Sequence, residues 1–340
     1  MSKHRVGIIG LGMALKPHLK SLEELPDRVE IAACFTPSAE RRKAFAAANK
    51  HHVVDSLDAI LSDRSIDAVL VLTPPTTHLE LIEQCAKAGK HVLLEKPTDA
   101  TLERSTKAVV AMEQANKTFA IMLQHRFRDA SRKLRAIIQS GELGALVSAS
   151  ASIRWWRTPE YFATPGRGMK ARDGGGVLLT QAIHTLDLFQ SLTGPIAKVT
   201  AFAKTSPQRK IDTEDMVAGG IEFANGAIGA IDATTTAYPG FPERIEIAFE
   251  KGTAALIAET LDIYYRDGRH DHHAGEASKS GGADPMAFSN DAHKASIVDF
   301  LDAIDSKREP LVSGRESLKV MKLIEALLQS AEQGKAVTIA

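Results

Sequence analysis

Two short stretches carry side chains that could do chemistry. In the first, the apolar run His91-Val92-Leu93-Leu94 ends in Glu95, Lys96 and Pro97. Proline lacks an N–H and fixes its own φ, so it stops a β ladder where it stands. Glu95 and Lys96 are thereby placed at the carboxyl end of a buried strand, where open α/β sheets bind ligands. A lysine whose charge is disfavoured by burial can take a hydroxyl proton. The bland alternative is a solvated loop lysine. In the second stretch, three glycines, Gly174 to Gly176, precede a helix and let a ligand or another backbone approach its first turn. Thr180, His184 and, less closely, Asp187 share one helix face by i, i+4, i+7 spacing, with Gln181 on the neighbouring face. Imidazole titrates near neutrality, so His184 can accept or deliver a proton. Its competing reading is a hydrogen-bonded core histidine.

The elements that must position these groups read as alternating strands and helices over the first part of the chain. Val6–Ile9 is a buried strand that runs into Gly10-Leu11-Gly12, with a helix expected from Met13 to Leu25. Glycines at such a turn let the backbone approach a pyrophosphate seated on the helix N-terminus. The third glycine position of that fingerprint holds Leu15. Further strands are expected at Val29–Phe35, Val53–Val54, Asp67–Leu72, His91–Leu94 and Phe119–Leu123. The helix after Phe35 is expected to open with Thr36 as N-cap and Pro37 in its first position. This alternation implies a parallel, doubly wound sheet. Gly10, Gly12, Met13, Thr73, Pro74, His78, Glu95 and Lys96 then collect around its cofactor crevice. At the end of the second strand no acid is present to hold a ribose 2′-hydroxyl. Thr36 and Arg41 suit a 2′-phosphate better, so the expectation leans to NADP over NAD. The alternative for Arg41 and Arg42 is a solvated helix face.

From about Gln124 the pattern changes. A helix at Asp129–Ser140 is followed by a strand at Val147–Ile153. Later strands are expected at Ile196–Lys204, Met216–Phe223, Ala227–Thr236, Arg244–Phe249, Thr253–Ile257 and Leu261–Arg266. Asn225-Gly226 and Lys251-Gly252 read as hairpin turns. The result is a large, mostly antiparallel sheet, with helices on one face and the other left for a partner subunit. Residues 267–290 read as a mobile loop, and His270, His272 and His273 as solvated groups with no metal expected. Two amphipathic helices follow, Asp291–Ser306 and Arg315–Gln333. The domains are therefore 1–124 and 125–340, the first dinucleotide-binding, the second α+β.

The 340 residues exceed what one core usually supports. Forty-two basic residues cancel forty-two acidic ones, which argues against nucleic acid or an anionic membrane as partner. No apolar run approaches the roughly twenty residues that cross a bilayer. The start of the chain enters a strand-like run at once, and Cys34 and Cys85 both lie in apolar surroundings. A cytoplasmic enzyme is the expectation.

Gly7–Gly12, Thr73–His78, Glu95-Lys96-Pro97, Arg126-Phe127, Gly174–Asp187 and Gly314–Leu318 together resemble the Gfo/Idh/MocA family of NAD(P)-dependent oxidoreductases. The resemblance spans nearly the whole chain. It implies an N-terminal Rossmann domain and an α+β domain whose open sheet joins subunits in homodimers or homotetramers. It implies hydride transfer between nicotinamide and a carbinol carbon of a sugar, cyclitol or related polyol, with Lys96 on the reacting hydroxyl and its developing alkoxide. The family's helix usually carries an Asp four residues before the His. Thr180 stands there instead, so His184 acts with Lys96 alone, or Thr180 and Gln181 only orient the substrate. Arg126, Trp155, Arg167, Thr180, Gln181 and His184 are the substrate-side candidates. Aromatic faces suit a sugar ring, and the cations Arg167, Lys170 and Arg172 suit an acidic group; the alternative is sheet packing and a charged rim. Two other readings on the same scaffold are a non-catalytic dinucleotide-binding sensor and a cyclic dihydrodiol dehydrogenase.

Overall fold

The structure is a computed structural model, and it describes residues 2–275 and 289–339. Through residue 124 the chain alternates as expected: β1 (His4–Ile9), α1 (Leu15–Glu23), β2 (Val29–Phe35), α2 (Ala39–Ala48), α3 (Asp58–Leu61), β3 (Ala68–Val71), α4 (His78–Lys87), β4 (His91–Glu95), α5 (Leu102–Gln114) and β5 (Phe119–Met122). It continues through α6 (Asp129–Gln139), β6 (Leu146–Arg154), α7 (Pro159–Ala163), α8 (Lys170–Asp173), a π-helical turn at Leu178–Ala182 and α9 (Ile183–Thr193). Strands β7 (Ile196–Lys204), β8 (Met216–Phe223), β9 (Ile228–Thr234), β10 (Arg244–Phe249), β11 (Gly252–Ile257), β12 (Thr260–Tyr265) and β13 (His270–His273) follow. Helices α10 (Asp291–Ser306) and α11 (Gly314–Gln333) and a last strand, β14 (Val337–Thr338), complete it.

Two compact units result: residues 1–124 with 290–318, and residues 125–289 with 319–340. The second unit is thus not the continuous 125–340 expected from sequence. The reason is packing. Ile297, Phe300 and Leu301 of α10 are buried in one cluster with Ile8, Leu22, Val29 and Leu93. Arg28 also reaches Asp302 at 2.8 Å.

In the first unit five parallel strands stand in the order β2-β1-β3-β4-β5. β3 and β5 are buried at every residue, which continuous apolar runs provide and helices on both faces require. The order reverses between β1 and β3, so the crevice for a ligand opens at their carboxyl ends. The expected strand at Val53-Val54 is only a single bridge between Cys34 and Val53, because two residues are too few to extend a ladder. The cap expected at Thr36 also differs. α2 begins after Ser38, whose hydroxyl accepts the Arg41 N–H at 3.2 Å. Arg42 bonds the Thr36 and Pro37 carbonyls at 2.6 and 2.9 Å, which keeps that stretch outside the helix. Cys34 and Cys85 are buried free thiols, each pushed up to about 12 by desolvation.

Among the described residues the second unit carries nine strands in the order β13-β12-β11-β10-β6-β9-β8-β7-β14. All neighbours are antiparallel except β6 and β9. The hairpin turns fall as expected: Gly226, at φ 85°, links β8 to β9. Helices α6 and α9 pack on the central strands. The outward residues of β7–β9 mix Lys198, Lys204 and Glu222 with Thr200, Ala218, Gly220 and Ala230, and Phe202 is 76% and Ile228 67% exposed. His270–His273 is a strand rather than loop. It pairs with β12, and His270 and His272 both bond Asp262, at 2.9 and 2.8 Å. The rest of the expected loop, 276–288, lies outside the described residues. Among the described residues no helix is long and apolar enough to cross a membrane.

Candidate active site

In the first unit the turn after β1 is built for close backbone approach. Gly10 sits at φ 108°, and a Cβ there would come 2.7 Å from the Leu72 carbonyl. Glycine avoids both the strain and the collision. A Cβ on Gly12 would meet nothing, so space lies over that residue. The first turn of α1 has no side-chain cap, and its Leu15 N–H donates to the Gly12 carbonyl at 3.2 Å. Met13 is exposed beside this turn, and Leu15, in the place of the third fingerprint glycine, is buried. This backbone fits the pyrophosphate of a dinucleotide. At the end of β2, Thr36 is buried and Arg41 exposed, and no carboxylate follows within the turn.

The turns after β3 and β4 are tied together. His78 is fully buried, with Nε2 2.9 Å from the Thr73 carbonyl and Nδ1 3.0 Å from that of Pro97. Burial pushes this imidazole below its usual range, against the opposing pull of the Thr73 carbonyl. His78 therefore braces two loops, and its ring is not presented outward. Asp99, which the sequence reading passed over, completes the brace. It is fully buried and accepts from the Leu79 N–H at 2.9 Å and from Arg104 Nε at 2.7 Å. Thr73 and Pro74 remain at the surface of the turn. Lys96 follows β4 directly and is half-buried, as is Glu95, whose carboxylate accepts the Lys96 N–H at 2.9 Å.

In the second unit the triple glycine folds as expected at one point and differs at another. Gly176 packs so closely on Glu214 that a Cβ would collide with that residue's carbonyl and carboxylate. The Gly176 and Leu178 N–H groups donate to the Glu214 carboxylate at 3.1 and 3.2 Å, and burial raises this acid above its usual range. The helix then opens as a π turn instead of an α turn. Thr180 therefore lies in the π turn and His184 in the α-helical part that follows. The Thr180 hydroxyl donates to the Gly176 carbonyl at 2.7 Å and pairs with the Gln181 side-chain oxygen. Gln181 Nε2 donates to the Tyr161 hydroxyl at 3.3 Å.

His184 is buried, and its ring stands 5.0 Å from that of His125, tilted by 30°. His125 had no sequence signal beyond its type. Arg126 was expected at the substrate. It is 5% exposed and grips Asp187 of α9 with two bonds, 2.7 and 2.6 Å long. This buried ion pair pins α9 beside His184. Trp155 and Arg167 join an aromatic-cation cluster: Arg157 lies over Trp155 and Tyr161, and Arg167 over Tyr161 at 4.8 Å. Arg167 stands 3.7 Å from Asp173. Arg209, also missed, lies over Phe162 and bonds Asp215 at 3.0 Å.

Comparison with known proteins gives two family matches. Residues 4–123 match the oxidoreductase family with an NAD-binding Rossmann fold, and residues 131–255 match the GFO/IDH/MocA C-terminal domain. Inositol 2-dehydrogenase of Rhizobium meliloti is 28% identical over 99% of this chain and 99% of its own. D-apiose dehydrogenase of Paraburkholderia graminis is 25% identical, covering all of this chain and 90% of its own length. The crystal structure of the WlbA dehydrogenase from Bordetella pertussis, in complex with NADH and UDP-GlcNAcA, superposes with a TM-score of 0.86 at 26% identity. It covers 99% of this chain and 98% of the other.

Proposed function

We infer that this chain, which belongs to the GFO/IDH/MocA oxidoreductase family, moves a hydride between a nicotinamide and a carbinol or carbonyl carbon of a sugar, cyclitol or related polyol. The observation that carries the reading is Lys96 at the carboxyl end of β4, beside a turn whose glycines fit a dinucleotide. The similarity to an inositol dehydrogenase and an apiose dehydrogenase supports the substrate class. When bound, the nicotinamide gives or takes the hydride. The protein's task is to polarise the C–O bond, hold the carbon near the nicotinamide and exclude water. Lys96 binds the reacting hydroxyl and stabilises the charge that grows on its oxygen. His184 accepts or returns the proton. Thr180 and Gln181, carrying no charge, orient neighbouring hydroxyls.

The cofactor side comprises Gly10, Gly12, Met13, Thr36, Arg41, Thr73 and Pro74, with His78 and Glu95 supporting their turns. The absence of an acid after β2 and the exposed Arg41 favour NADP. Arg167 and the aromatic cluster around Tyr161 extend the substrate class to acidic sugars. The large apolar side chains Phe202 and Ile228, exposed on the open face of β7–β9, support a homodimer or homotetramer built on that sheet. The two buried free thiols support a reducing, cytoplasmic location.

Reduced-nicotinamide absorbance, followed over neutral and acidic polyols with both cofactors, tests the reading. Lys96→Ala should lower turnover by roughly a hundredfold or more while cofactor still binds. Near-normal turnover in that variant removes Lys96 from the mechanism. Equal activity on neutral and acidic sugars removes the acidic-substrate extension.

A further inference from the structure

Three polar side chains of the first unit come together beneath the Lys96 turn: His18 on α1, Glu95 at the end of β4 and His293 on α10. His18 is fully buried and His293 nearly so. His18 Nε2 lies 2.8 Å from one Glu95 oxygen, while the other Glu95 oxygen accepts the Lys96 N–H at 2.9 Å. The His18 ring stands edge-on to His293, with centroids 5.1 Å apart at 88°. One ligand atom from each of the three lies within 4.8 Å of the others, a spacing that two chemistries could use. One is a metal centre. The other is a hydrogen-bonded brace.

The bonding favours the brace. A carboxylate offers only acceptors, so the short contact to Glu95 needs the proton on His18 Nε2. That nitrogen then has no lone pair for a metal. His18 Nδ1 is buried and has no partner among the described residues. His18 Nε2 therefore donates to a carboxylate that in turn holds the backbone of Lys96. His18 also sits about one turn into the helix that follows the Gly10–Gly12 turn. The brace thus joins that helix to the residue that follows β4, all inside one unit.

We propose that His18, acting through Glu95, is a positioning residue for Lys96, with His293 fixing the plane of its ring. This rests on Lys96 being the group that binds the reacting hydroxyl. Small displacements of such a group are costly in rate, and residues that orient it through one intermediate are worth roughly ten- to a hundredfold.

The test uses the full-length protein with its best polyol substrate. His18→Ala should lower kcat roughly ten- to a hundredfold, with cofactor affinity changed far less. His18→Gln, whose amide N–H can reach Glu95, should recover most of the loss. Should His18→Ala fail to bind cofactor at all, Glu95→Gln takes its place. Its amide has a single acceptor oxygen for two donors, the His18 N–H and the Lys96 N–H, so one of the two bonds is lost, and the same fall in kcat is expected. Full kcat in either variant overturns the proposal. So does a His18→Gln variant as slow as His18→Ala, which would mean that only the packed ring matters. Stoichiometric zinc or cobalt in the purified protein, lost in His18→Ala, overturns it in favour of a metal centre. Lys96→Ala run alongside separates the two levels: retained turnover there refutes the role of Lys96 itself, whereas its loss with normal His18 variants refutes only the brace.

Discussion

Arg126→Met is the substitution whose consequence follows most directly from the geometry. The guanidinium makes two short bonds to Asp187, and the two residues are 5% and 1% exposed. Met keeps the apolar stem and removes the charge. Asp187, 1% exposed, loses the two charge-assisted bonds that offset its burial. Removing one member of such a pair costs about 3–5 kcal/mol, because the remaining charge stays desolvated. At about 2–4 °C per kcal/mol for a unit of this size, the melting transition should fall by roughly 6–20 °C. Circular dichroism melts and urea titrations read this. The double variant Arg126→Met, Asp187→Leu removes both charges, and stability should return to within about 1 kcal/mol of the wild type. A single variant that melts with the wild type would refute the reasoning. A double variant no more stable than the single would show that shape, rather than the unpaired charge, was the cause.

Gly10→Ala forces a side chain into φ 108° and a Cβ to 2.7 Å from the Leu72 carbonyl. It should cost about 1–3 kcal/mol and weaken cofactor binding, read by melting and by cofactor titration; unchanged values would refute the close-approach argument. Burial, with help from the Lys117 charge, holds His91 down at about 4, against 6.5 ordinarily. The unfolded chain therefore takes up that proton first. The contribution is whole above pH 6.5 and is lost as pH falls toward about 4. Its Nδ1 accepts the Thr118 N–H at 3.0 Å, which only an unprotonated nitrogen can do. His91→Gln should flatten the acid limb of the stability curve, and an unaltered slope would exclude His91 as a cause. Phe202→Asp, at a side chain 76% exposed on the open sheet face, should shift sedimentation toward smaller species if that face joins subunits. An unchanged sedimentation coefficient would move the interface elsewhere.

What the sequence determined by itself were features set by near neighbours. β2, β7, β8 and β10 begin and end where the apolar runs do. The Gly10–Gly12 turn, the Asn225-Gly226 hairpin and the stop of β4 before Pro97 follow from local backbone chemistry. Lys96 was legible for the same reason, since its place depends only on the strand that ends before it. The tertiary structure decided the partners. Arg126 finds Asp187 sixty-one positions away, and His18 finds Glu95 across seventy-seven. Helix α10 returns to the first unit's core because its apolar stripe fits there, which its own periodicity cannot announce. Just before the π turn that leads to His184, Gly176 packs against Glu214, a residue distant in sequence. Periodicity encodes which face of an element is apolar. Which distant surface that face meets, and which buried charge finds its counterpart, is fixed only when the whole chain has packed.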